Sequence, residues 1–180
     1  FPTRRSSDLM ADMQLRYPFQ VTAAQLNLLD SHDVARFLGL CGGDYDRWQA
    51  AFLYLCMAPG VPSVFYGDEK KVTGIRETEY RQGMPWDENH ADSEDFVKTV
   101  LRIRRDWIAP ADEWRAVYGG HDDRLVVFER YGAHTVRVII HMGEAPADAE
   151  RFMNGGQLLL LKGSVSHMLE KNGFAVLLMA

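Results

Sequence analysis

From residue 21 onward, short apolar runs alternate with stretches in which apolar side chains recur every three or four positions. Leu26 to Leu29, apolar apart from Asn27, reads as continuous rather than alternating, the pattern of a strand covered on both faces, and it stops at Asp30, Ser31, His32 and Asp33. Asp44 is a good N-cap, and Trp48, Phe52 and Leu55 fall at i, i+4 and i+7, which predicts a helix that Pro59 and Gly60 end. "VPSVFYG", residues 61–67, predicts a second buried strand, which also stops at acids, Asp68 and Glu69. A charged loop from Lys70 to Asn89 follows. Ser93 is then expected to cap a helix with Glu94 and Asp95 in its first turn and Phe96, Val100, Ile103 and Trp107 on its apolar face, up to Pro110. Strands alternating with helices in this way indicate βαβ organisation and a parallel sheet.

The pattern changes after Trp114. "RLVVFER", "HTVRVIIHM", "QLLLLKG" and "GFAVLLMA" are β-rich runs separated by Gly, Asn and Asp, and "RYGAH" at 130–134 reads as a hairpin connection. A small antiparallel β domain over residues 110–180 is the expectation, after an α/β portion over 10–109. The first nine residues, "FPTRRSSDL", match the translation of the end of a sequencing adapter and are set aside from the fold.

Composition narrows the function. With 180 residues, 47% hydrophobic, the chain can bury a core, and its net charge of −5 is spread without a basic stripe, which argues against nucleic acid as partner. The 2 cysteines, Cys41 and Cys56, make no disulfide framework, and no apolar run approaches a membrane span. Localisation stays open.

"DSHDVAR" places Ser, His and Asp in a row. Adjacent residues do not make a hydrolase triad, because neighbouring side chains in an extended chain diverge and a triad is assembled from separated positions. Adjacent O and N ligands without a second cluster are also weak support for a metal site. A solvated strand-to-helix loop is the plain alternative. In parallel α/β folds, however, ligands bind beyond the carboxyl ends of the strands, and both candidate strands put acids there.

"NLLDSHDVARFL" resembles the motif at the seventh barrel strand of the alpha-amylase family of glycoside hydrolases, in particular its cyclomaltodextrinase, neopullulanase and maltogenic amylase branch. "AAFLYLCMAPGVPSVFYGDE" is similar to the following helix and eighth strand, and "YRQGMPWDE" to the loop after it. The resemblance runs from about Tyr17 to Trp107. It implies the last two strands, with their helices, of a (β/α)8 barrel, followed by a small antiparallel β-sandwich domain. It also implies retaining cleavage of α-glucosidic bonds in cyclodextrins, pullulan or maltooligosaccharides, by an aspartate nucleophile and a glutamic acid about 5 Å apart. In the family both lie on earlier strands, so this chain is expected to be inactive alone.

By the same resemblance, Asp33 matches the third carboxylate, a transition-state stabiliser, and His32 the histidine that grips the same sugar. Arg81 and Glu77, in "ETEYR", stand where the family often has an Arg that contacts more remote sugars and an Asp followed by Pro; the longer acid and missing Pro are departures. Lys70 and Lys71 are another, since an apolar residue and Gly usually follow there. Trp86 is the aromatic expected to face substrate, Trp107 is expected in the core, and Asp68 and Glu69 are expected to orient the barrel top. Arg36 is expected to pair with a barrel carboxylate. An α-glucan oligosaccharide is the expected partner, with no cofactor, no nucleic acid and no membrane. Calcium dependence and homodimer formation of the longer protein are left open. The competing reading is a non-catalytic amylase-like homologue that binds carbohydrate or another protein.

Overall fold

The computed structural model describes residues 6–117 and 124–180, so the first five adapter-like residues lie outside the described residues. Helix α1 (Ser6–Leu15) runs unbroken across residues 9 and 10; Leu9 is exposed, whereas Met10 and Ala11 turn inward. After α2 (Phe19–Ala24), strand β1 (Leu26–Leu28) pairs in parallel with β2 (Val61–Ser63), and α3 (Phe37–Leu40) and α4 (Tyr45–Met57) make the crossover between them. The βαβ expectation therefore holds. Burial of its strands does not: Leu26 is 64% exposed and Val61 50%. Burial needs a neighbour at each edge and a layer on each face, and this sheet has two strands among the described residues. The second strand also ends at Ser63, because Phe65 and Tyr66 leave it to stack edge to face at 4.6 Å.

α4 forms where its cap and apolar stripe agree. Asp44 accepts the Arg47 N–H at 3.0 Å, and Trp48, Phe52 and Leu55 are buried. A 3-10 turn at Asp68–Lys70 follows β2, then the single turn α5 (Glu77–Tyr80) inside the predicted loop, then α6 (Ala91–Trp107). Ser93 does not cap α6. The helix starts two residues earlier, Asn89 Oδ1 accepts the Ala91 N–H at 3.1 Å, and the buried Ser93 hydroxyl instead accepts from Tyr45 OH at 2.8 Å, tying α6 to α4. The acids of its first turn are Asp92 and Glu94.

Among the described residues, six antiparallel strands follow: β3 (Glu113–Ala116), β4 (Leu125–Tyr131), β5 (Thr135–His141), β6 (Ala147–Asp148), β7 (Gly156–Val165) and β8 (Met168–Met179), with the short helix α7 (Glu150–Met153) before β7. Tyr131 pairs with Thr135, so the hairpin lies at 132–134 as read. The pairing β3-β4-β5-β8, with β6 and β7 both on β8, joins all six strands into one sheet rather than the two stacked sheets of the expected sandwich. Alternation explains why one sheet suffices. Val126, Phe128, Val138, Ile140, Phe174 and Val176 pack with α4 and α6, while Leu125, Val127, Ile139, Ala175 and Leu177 pack with Ala149 and Phe152 on the other face.

Helix gives way to strand between Trp107 and Glu113, but packing does not break there. One apolar core contains Trp48, Phe52, Val100 and Ile103 from the helices together with Phe128, Val138 and Val176 from the sheet. Trp107, half-buried, packs against the edge of this core and meets His134 edge-on at 5.1 Å. Arg130, fully buried on β4, donates to the carbonyls of Met57 (3.2 Å), Ala58 (2.9 Å) and Asp112 (2.9 Å), and Arg104 donates to Ala58 O at 3.0 Å and to Cys56 O and Gly60 O. The two guanidinium groups thus satisfy the carbonyls left unpaired where α4 ends. Burial with Arg104 alongside lowers the Arg130 pKa to about 10.

Candidate functional site

Because β1 and β2 are parallel, the loops leaving their carboxyl ends emerge at one edge. In the first loop Ser31 and Val34 form an isolated bridge and Ser31 Oγ accepts the Asp33 N–H at 3.1 Å, a short side-chain-to-backbone turn. An extended chain would send His32 and Asp33 apart. The turn brings them together, with His32 Nε2 3.1 Å from Asp33 Oδ2 and both side chains about two-thirds exposed (72% and 67%).

The loop after β2 supplies the partners. The turn α5 places Glu77 and Arg81 at i and i+4, 3.0 Å apart, and Arg81 reaches across to the other loop. Its Nε donates to His32 O at 2.8 Å and its Nη2 lies 3.6 Å from Asp33 Oδ1. His32, Asp33, Glu77 and Arg81 therefore form one open cluster with two carboxylates, a guanidinium and an imidazole pointing to solvent. Such a surface offers charge-assisted hydrogen bonds in several directions to a polyhydroxylated ligand. Glu79 sets the turn, accepting the Ile75 and Arg76 N–H groups at 3.0 and 3.1 Å, and those bonds lower its pKa to about 2.

Beneath this cluster lies a buried one. Arg36, fully buried, donates to Tyr66 O (2.6 Å) and Tyr80 O (3.1 Å), lies 3.5 Å from Asp68 Oδ1, and sits 4.0 Å above the Phe65 ring. Its pairing with a carboxylate at the end of the second strand matches the reading from sequence. Asp30, also buried, accepts the Phe37 N–H at 2.7 Å and so closes the base of the loop that carries His32 and Asp33. Burial, and then the charge of Asp30, push the Asp68 pKa up to about 8, and burial raises that of Asp30. In the sequence Asp30 is one member of a polar run, and the signal that sets it apart is position, an acid immediately behind an apolar strand.

Glu69 turns away from the open cluster and accepts the Gly67 N–H at 3.0 Å. Gly67 is required there: its φ is +88°, and a Cβ would stand 2.8 Å from Val72 Cγ2. The two unexpected lysines bind the same loop to α6. Lys70 Nζ lies 2.5 Å from Glu94 Oε1, and Lys71 Nζ lies 2.6 Å from Asp92 Oδ2 and 4.3 Å above the Tyr45 ring.

Trp86, 78% exposed, is not brought to His32 and Asp33; it lines a separate depression with Met84, Lys70 and Glu94. Trp114 packs at the edge of the core, 6.1 Å from Phe128. An apolar cavity of about 460 Å³, lined by Leu29, Phe37, Ala50, Tyr54, Val126 and Ile140, contains none of the candidate residues. The ligand-type atoms of Asp148 on β6, Glu150 at the start of α7 and His167 in the β7–β8 turn lie within 4.8 Å of one another. Asp148 there accepts the Glu150 N–H at 2.9 Å, an ordinary turn contact.

The family model described as alpha amylase, catalytic domain, matches residues 6–137. A cyclomaltodextrinase of Geobacillus thermopakistaniensis (strain MAS1) is 35% identical over 136 residues, covering 73% of this chain and 23% of that protein. Neopullulanase 2 of Thermoactinomyces vulgaris is 36% identical over 93 residues, covering 51% of this chain and 16% of that protein. The chain thus spans less than a quarter of these relatives. The acarbose-soaked debranching enzyme of Nostoc punctiforme superposes with a TM-score of 0.79 at 24% identity, over 99% of this chain and 39% of that one, a likeness of fold.

Proposed function

Since the chain belongs to the alpha-amylase catalytic-domain family of glycoside hydrolases, we propose that it is the C-terminal part of a retaining enzyme for α-glucosidic bonds in cyclodextrins, pullulan or maltooligosaccharides. The observation that carries the reading is the convergence of His32, Asp33, Arg81 and Glu77, from two separate loops, at the carboxyl edge of a parallel strand pair. In this reading residues 10–109 hold the last two barrel strands and residues 110–180 a C-terminal β domain. An α-glucan oligosaccharide is the partner, and no cofactor is required of this chain.

Asp33 stabilises rather than breaks the bond. A carboxylate that hydrogen-bonds sugar hydroxyls tightens its hold as oxocarbenium character develops, which favours the transition state over the ground state. Its charge also disfavours ionisation of a neighbouring acid, which helps a general acid keep its proton. His32 adds a second contact to the same sugar. Arg81 holds Asp33 and the His32 carbonyl in place and, with Glu77, lines the approach for further sugar units. The nucleophile and the acid/base belong to upstream strands, so this chain alone has no glycosidase activity.

The test is Asp33→Asn in the complete enzyme, assayed on cyclodextrin and pullulan. Removing one preorganised transition-state contact should cost about a hundredfold or more in kcat. Near-wild-type turnover would refute the role, and a well-folded complete protein with no turnover would move the assignment to a non-catalytic carbohydrate-binding homologue. Release of reducing sugar by the 180-residue chain itself would overturn its predicted inactivity.

A further inference from the structure

The turn that carries His32 and Asp33 stands on a cluster whose formal charges do not balance. Asp30 and Asp68 are 3% and 5% exposed and Arg36 is 0% exposed, so two carboxyls face one guanidinium out of reach of bulk water. An uncompensated charge in such a place is strongly disfavoured. The Asp30 and Asp68 carboxyls also act on each other, and both feel the Arg36 charge. Two ionised carboxylates are both acceptors, so a hydrogen bond between them needs a proton on one of them. Asp30 Oδ2 already accepts the Phe37 N–H, and Asp30 Oδ1 is buried with no other donor among the described residues. A proton on Asp68 gives that oxygen its donor.

We propose that Asp30 and Asp68 hold one proton between them, and that the neutral cluster they form with Arg36 fixes the His32–Asp33 turn and Arg81 relative to each other. The three are positioning residues. Arg36 ties together three segments: its own N–H donates to Gly74 O at 2.8 Å, while its guanidinium takes Tyr66 O after β2 and Tyr80 O next to Arg81. Asp30 closes the loop through Phe37. When the proton passes to solvent, two carboxylates face each other across one guanidinium, and the bonds that depend on its orientation loosen. Ionisable groups on the neighbouring segments are engaged elsewhere: Glu69 with Gly67 N–H, Glu79 with Ile75 and Arg76 N–H, and Arg81 with His32 and Glu77. The raised pKa of both acids, with burial as the main cause, agrees with this assignment.

The clamp stands on the burial and hydrogen bonds of these three side chains; its consequence for catalysis rests on the proposed role of Asp33. The experiment is a carboxyl-carbon NMR titration of the 180-residue chain from pH 5 to 10, followed together with the Phe37 amide. One carboxyl of the pair should titrate near pH 8, with the Phe37 amide signal moving in the same step. Asp68→Asn, which keeps the shape of a protonated acid, should abolish the step and hold Phe37 at its low-pH position. Both carboxyls titrating below pH 5, or a Phe37 amide indifferent to the step, overturns the proposal. If the variant does not fold, the wild-type titration decides by itself. In the complete enzyme Asp68→Asn should remove an alkaline fall in kcat, whereas Asp33→Asn should lower kcat at every pH. An NMR step with no effect of Asp33→Asn would leave the clamp standing and remove the catalytic reading.

Discussion

Phe52→Ala tests whether the helices and the sheet unfold as one body. Phe52 is completely buried on α4, stacks on Trp48 at 4.9 Å and meets Phe96 of α6 at 6.0 Å, and Phe96 in turn meets Phe174 of β8 at 5.9 Å. Truncating a buried Phe to Ala costs about 3–5 kcal/mol through lost burial and the cavity left behind. At about 1.4 kcal/mol per factor of ten, amides that exchange only by global opening should exchange roughly two to three and a half orders of magnitude faster. The assay is amide hydrogen exchange of the 180-residue chain, wild type against variant. Because Phe128, Val138 and Val176 share a core with Phe52, the amides of Val138 and Val176 should lose as much protection as those of α4. Acceleration confined to the helices, with the sheet at wild-type rates, would refute the shared core and put a seam near Pro110.

Arg81→Ala should shift the melting temperature by no more than a few degrees, since its ion pairs are exposed and such pairs contribute about 1 kcal/mol or less. In the complete enzyme it should raise KM for glucan oligosaccharides, and an unchanged KM would remove Arg81 from the binding surface. Lys71→Met should lower the melting temperature at low salt, and the difference from wild type should shrink at high salt, because the Asp92 partner is 70% exposed and screened; a salt-independent difference would mean that the Tyr45 contact dominates. Asp68 predicts a pH dependence of stability. Its folded pKa of about 8 lies above the ordinary aspartate value of 3.8, so the folded chain keeps a proton that the unfolded chain gives up. Its contribution is therefore fullest at acid pH and falls as pH rises toward 8, by at most about 1.4 kcal/mol per pH unit, and levels off above. The lowered acids Glu79, Asp92 and Glu94 titrate below this window. Urea unfolding from pH 5 to 9 measures the slope, and Asp68→Asn should remove it.

Local chemistry along the chain determined where elements begin and turn. The Asp44 cap, the apolar positions of α4 and α6, the break at Pro59 and Gly60, and the hairpin at 132–134 all depend on near neighbours, and all are where the sequence places them. The motif around His32 and Asp33 was legible through its resemblance to the alpha-amylase family; as a polar group behind an apolar strand it reads equally as a solvated loop. Tertiary structure decided what depends on residues far apart. It left β1 and β2 exposed, although their composition reads as buried, because burial is set by neighbouring strands and layers rather than by a strand's own side chains. It moved the start of α6 away from Ser93, whose hydroxyl is taken by Tyr45 from another helix. It joined Arg81 to Asp33 across 48 residues of chain, and it buried Asp30 and Asp68 around one arginine, so that two acids that the sequence shows only as carboxylates behind apolar runs compete for a single counter-charge. Hydrophobic period and capping are short-range properties that a linear pattern encodes. Desolvation and charge pairing depend on which distant segments meet.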